Sequence, residues 1–111
     1  MEEFSLSAFI ERYLGYAQST KARKTFLADR AALQALHGFT GEILLSEITC
    51  DHIERFRLHE LQRIKATSVN VALRHLGAAF SWAVSHGYRI DNPASTRDRI
   101  VFGCKHEEPI Y

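Results

Sequence analysis

Apolar positions recur at three- and four-residue steps through most of the chain, and no stretch of four to eight residues alternates cleanly. That pattern predicts helices and no strands. The clearest segment is Val69, Leu73, Leu76, Phe80, Ala83 and Val84, one continuous apolar face. This helix is predicted to begin after Lys65, capped by Thr67 or Ser68, and to end near His86 and Gly87, with Asn92–Pro93 blocking a restart. Phe9, Ile10, Tyr13 and Leu14 predict a helix over 5–17, with Ser5 as its N-cap and Phe4 packing back against it. Phe26, Leu33 and Leu36 predict a second helix over 20–37, capped by Ser19 or Thr20, stopped at Gly38, with Asp29 or Arg30 at the gaps in its stripe. Residues 39–46 read as a loop. Thr49 then caps a third helix, with Ile48 stapled to Ile53. His52 stands where a capping box would have Glu, so the reciprocal box is expected to be incomplete. Ile53, Phe56 and Ile64 form the buried stripe of this helix, with Leu61 beside it.

Four helices in 111 residues predict an all-α fold, a compact four-helix bundle over 1–93 followed by a polar, irregular linker over 94–111. Ile100, Val101 and Phe102 are the linker's one apolar patch. A chain of this size can bury its own core without staples. No apolar run is long enough to span a membrane. The start Met1-Glu2-Glu3 lacks the apolar segment of a secretory leader, so a cytoplasmic location is expected. Cys50 and Cys104 are therefore expected as free thiols. Each opens a Cys-x-His triplet, but the pair lacks the short ligand spacing of zinc sites, and neither metal nor cofactor is expected.

The net charge of +1 argues weakly against a nucleic-acid partner. The distribution of charge changes that picture. Between Leu61 and Ile90 there is no acid, but there are Arg63, Lys65, Arg74 and Arg89. Lys21, Arg23 and Lys24 form a second basic cluster, while acids collect at Glu42, Glu47, Asp51, Glu54 and Glu60. Two basic segments against an acidic remainder suggest one positive face.

Catalysis finds no support in the residues. There is no glycine-rich phosphate loop and no strand–turn–helix elbow for a serine, and the six histidines are scattered along the chain. The start of the fourth helix is more informative. Lys65, Thr67, Ser68, Asn70 and Arg74 lie there, and Thr67, Asn70 and Arg74 share a face turned away from Val69, Leu73 and Leu76. Hydroxyls, Asn and a helix N-terminus can hold a phosphate, and Asn and Arg can read adenine and guanine edges in the major groove. The same residues also suit an ordinary capped and solvated helix start. Lys21, Lys24 and Thr25 at the second helix start could grip phosphates in the same way, although cations there oppose the helix dipole. A DNA-facing surface requires these two starts to lie side by side. Phe80, Trp82 and Tyr88 could stack on bases, but at helical spacing they are expected in the core.

These segments resemble a known family. Ala66-Thr67-Ser68-Val69-Asn70-Val71-Ala72-Leu73-Arg74-His75-Leu76, then Ala79-Phe80-Ser81-Trp82-Ala83-Val84, then Gly87-Tyr88-Arg89-Ile90-Asp91-Asn92-Pro93, look like the last helix of the core-binding domain of tyrosine recombinases, the phage-integrase type. Lys24-Thr25-Phe26 with Leu33 and Leu36 is similar to the family's second helix, and the run from Leu45 to Phe56 is similar to its Leu-x-x-Ile-Thr approach to the third. The resemblance implies a SAM-like orthogonal bundle that binds double-stranded DNA as the N-terminal jaw of a C-shaped clamp, itself without catalytic residues. The other jaw would be a catalytic domain beyond 94–111, and the parent would be a bacterial or phage-encoded recombinase acting as a tetramer on DNA, with this piece alone a monomer. It also implies DNA contact through the second and fourth helices, hence Lys21, Lys24, Thr25, Lys65, Thr67, Ser68, Asn70 and Arg74. One position departs from the pattern. Many relatives carry Arg directly after the Asn, where this chain has Val71. The competing expectation is a helical adaptor for protein partners that binds no DNA, for which Ile100, Val101 and Phe102 are the candidate surface.

Overall fold

The computed structural model describes residues 4–89 and 91–94. Four helices carry the fold: α1 Leu6–Thr20, α2 Arg23–Thr40, α3 Cys50–Leu61 and α4 Ala66–Ser85, with a 3-10 turn at Leu45–Glu47 before α3. Among the described residues there is no strand, only an isolated antiparallel bridge between Ser5 and Leu44. The all-α, four-helix expectation is met.

Ser5 caps α1 as predicted, its Oγ accepting from the Ala8 N–H at 3.2 Å. Phe9, Ile10 and Tyr13 are buried, joined by Leu6 and Ala17. Phe4 meets Tyr88 edge-on at 4.8 Å, which pins the chain start to the end of α4. The cap expected for α2 is not there. Ser19 and Thr20 belong to α1, and their hydroxyls donate back to carbonyls of Gly15 and Tyr16. A Ser-Thr pair between two helices can serve either one, and here it closes the first. α2 starts at Arg23 with no side-chain cap and continues through Gly38. Its stop is Gly41, whose φ of +76° lies in the left-handed region. The expected loop over 39–46 is accordingly shorter and contains the 3-10 turn.

Thr49 caps α3, and the capping box is complete after all. His52 N–H donates to Thr49 Oγ1, and the Thr49 N–H donates back to His52 Nδ1 at 3.1 Å. Imidazole thus does the work of the usual carboxylate. Ile48, Ile53 and Phe56 are fully buried, whereas Ile64 is only partly buried and Leu61 is exposed. Along α4, Val69, Leu76, Phe80 and Ala83 are buried as expected; Leu73 is partly buried and Val84 is exposed. Thr67 and Ser68 lie exposed inside the first turn and do not cap it. Phe80 and Phe9 stack in the core at 6.0 Å, and Trp82 sits half-buried among Phe9, Tyr13, Tyr16 and Tyr88. These aromatics hold helices together, as their spacing suggested.

After α4 the chain is fastened down. The buried Arg89 guanidinium donates to the Leu45 carbonyl at 2.6 Å and to Asp91 Oδ1 at 2.8 Å. Asn92 donates to the Gly77 carbonyl and accepts from the Ala94 N–H, and Pro93 and Ala94 are buried. The free-thiol expectation for Cys50 turns on Cys104, the chain's one other cysteine. Cys104 and the patch at Ile100, Val101 and Phe102 lie outside the described residues. No helix among the described residues is long and apolar enough to cross a membrane.

Candidate nucleic-acid interface

α2 packs more extensively on α4 than on any other helix. Two contacts fix the direction of this pairing. His75, near the middle of α4, meets Asp29, early in α2, at 2.7 Å. At the other end Glu60 and Arg63, which lead into α4, line a cleft with Ala35, Gly38 and Phe39 of late α2. The two helices therefore run antiparallel. At 1.5 Å per residue, the starts of α2 and α4 stand about 20 Å apart along the helix axes. The two starts therefore do not lie side by side, which corrects the single shared cluster the sequence reading required: the cations stand instead toward opposite ends of one α2–α4 face.

A groove of about 270 Å³ runs between the two helices. Ala28, Ala31, Ala32 and Ala35 form its α2 wall, and Ser68, Val71, Ala72 and His75 its α4 wall. Small side chains on both walls let the helices approach closely and leave a shallow, largely apolar channel. Glu60 and Arg63 close one end of it. Lys24 stands four residues before Ala28, in helical register with that wall, and so lies at the other end.

The sequence-predicted residues sort into two groups. Lys24, Lys65, Thr67, Ser68, Asn70 and Arg74 are exposed, and Thr25 is partly buried. Lys24, Lys65 and Arg74, with the neighbouring Arg23, make no ion pair among the described residues. Lys21 is different. It lies in the turn before α2, and its ammonium donates to Tyr13 Oη at 2.6 Å and to the buried Asp29 carboxylate at 3.1 Å. Burial works against its charge, but these two bonds outweigh it and raise its pKa above the ordinary lysine value. Burial pushes the Tyr13 phenol up as well, with Lys21 opposing. Arg63 is likewise engaged, holding both oxygens of the buried Glu60 at 2.9 and 3.1 Å. Arg89 is buried.

Two features of this surface went unrecognised in the sequence. One is Asp29, which carries three hydrogen bonds, from Tyr13, Lys21 and His75, in a fully buried position. Its signal was present, because Phe26, Asp29, Leu33 and Leu36 step by three, four and three, which turns the acid inward. The other is Arg23, counted in the basic cluster but not among the expected DNA contacts, and exposed beside Lys24. α4 contains no acid, and the one acid of α2 is Asp29. The solvent face of the α2–α4 pair therefore carries cations and no carboxylate from either helix. No cluster of metal-ligating side chains occurs among the described residues.

The family model described as the phage integrase SAM-like domain matches residues 5–100. No curated protein and no solved structure matches the chain.

Proposed function

Because the chain belongs to the family of phage integrase SAM-like domains, we propose that it binds double-stranded DNA as the N-terminal, non-catalytic jaw of a tyrosine recombinase. The observation that carries this reading is the absence of any exposed acid on α2 and α4, beside exposed Arg23, Lys24, Lys65 and Arg74. A duplex is a dense line of negative charge, and each phosphate neutralised releases counterions. A face with cations and no opposing carboxylate gains that energy without repulsion. Lys24 and Arg23 grip phosphates at one end of the α2–α4 groove. Lys65, Thr67 and Ser68 do so at the other, where the α4 N-terminus adds its dipole. Asn70 and Arg74 reach base edges in the major groove. Thr25, partly buried, supports the α2 end. Lys21 holds Asp29 and positions α2 rather than touching the duplex. Residues 94–111 lead to the catalytic domain of the parent, and the parent assembles as a tetramer on its site.

The test is fluorescence anisotropy of the chain with mixed-sequence duplexes at 50 and 200 mM salt. Three cations on phosphates predict an affinity loss of about fortyfold across that range. No binding at low salt, or binding indifferent to salt, would overturn the reading. The adaptor alternative was expected to use Ile100, Val101 and Phe102, which lie outside the described residues; among the described residues Leu58 and Leu61, exposed three apart on α3, offer it a different surface. Salt-indifferent capture of a protein through that face, with no duplex bound, would favour it.

A further inference from the structure

We propose that Val71, together with the alanines facing it across the groove, is a contact for thymine methyl groups, so that this surface selects its site by apolar as well as polar readout. The inference rests on the DNA-binding reading above and deepens it.

Val71 is 40% exposed in the second turn of α4. A β-branched apolar residue gains nothing there in helix propensity and little in packing. Its side chain lines the α2–α4 groove with Ala28, Ala31 and Ala35. On the same helix, Asn70 precedes it and Arg74 follows by three, so hydrogen-bonding groups flank an apolar centre. In the major groove one base alone presents an apolar group, the 5-methyl of thymine. Asn and Arg distinguish adenine and guanine by paired hydrogen bonds and cannot sense that methyl. Val71 cannot hydrogen-bond and can sense little else. The groove is flanked by Lys24 at one end and by Lys65 at the other, with no exposed acid from either helix, which matches a polyanion. The occupant is therefore a duplex, with one or two thymine methyls seated against Val71.

The experiment uses the full 111-residue chain to enrich tight-binding duplexes from a random library. In the enriched duplex each thymine is replaced in turn by deoxyuridine, which deletes the methyl and keeps the pairing edge. At one or two positions the replacement is expected to weaken binding about fourfold, the worth of burying one methyl. In Val71→Ala, which favours helix and is exposed, the same replacement should cost nothing, and the thymine duplex should bind about as weakly as the uracil duplex binds the unsubstituted chain. An enriched duplex that tolerates uracil everywhere overturns this inference and leaves DNA binding intact. So does a methyl effect that persists in Val71→Ala. Failure to bind any duplex at low salt overturns the DNA-binding reading and this inference with it.

Discussion

His75 on α4 donates its Nδ1 proton to the carboxylate of Asp29 on α2 across 2.7 Å, with Asp29 fully buried. The same carboxylate accepts from Lys21 and from the Tyr13 hydroxyl. One acid thereby joins α1, the turn before α2, α2 itself and α4. Buried charge is tolerated only where its lone pairs are satisfied, and here three donors converge on two oxygens.

Replacing Asp29 with Ala should strand the Lys21 ammonium and the His75 N–H together. The expected loss is about 3 kcal/mol of unfolding free energy, at the low end for a broken buried pair because Lys21 keeps some solvent contact. Urea denaturation measures it. A loss under about 1 kcal/mol would mean that water replaces the carboxylate readily.

Lys21 and Lys24 stand three residues apart and should behave oppositely. Lys24→Ala is expected to lower the slope of log affinity against log salt by about one and to leave the melting temperature unchanged. Lys21→Met should leave the slope as it is and destabilise the fold. Equal slope changes in both would place Lys21 on a phosphate.

Glu60 gives the fold an acid limb. The hydrogen bonds from Arg63 hold its carboxyl below the ordinary value of 4.5, against the opposing effect of burial. A carboxyl depressed in the folded state stabilises at pH values above 4.5, and that contribution is lost as the pH falls below it. Glu60→Gln should therefore be less stable than the parent chain at pH 7, with the gap closing toward pH 3. Thermal melts across that range check it, and a gap independent of pH would point to packing instead.

Asn92 uses both ends of its amide, donating to the Gly77 carbonyl at 2.8 Å and accepting from Ala94 at 3.0 Å. Asn92→Ala should cost about 1–2 kcal/mol, since two partly buried groups lose a partner. Hydrogen exchange at the Ala94 amide should speed up in the variant while the α1 core keeps its protection.

Much of the fold was legible because local rules and burial agreed. The α4 stripe from Val69 to Ala83 faces the core, and Ser5 and Thr49 cap the helices they precede. The start of α2 was misread because Ser19 and Thr20 are equally good at closing a helix and at opening one, and only the backbone path decides between them. Gly38 looked like a stop, but a glycine inside a helix costs only about 1 kcal/mol and tertiary packing overrides it. At the interface, the exposed positions of Asn70 and Arg74 followed from helical phase. The commitment of Lys21 and Arg63 to internal carboxylates did not, because sequence separation says nothing about which acid lies within reach. The direction of α2 against α4 was hidden for the same reason, and it changed the picture most.

That antiparallel pairing has a mechanical result. Anchors at opposite ends of a 20 Å span resist rotation in a way that a single cluster cannot, since any swivel about one end must stretch the contacts at the other. A rod-like ligand caught at both ends is held in heading as well as in place. On the DNA-binding reading proposed above, in which one bond of a long polymer is offered to a distant reactive group, holding the heading is the harder half of the task.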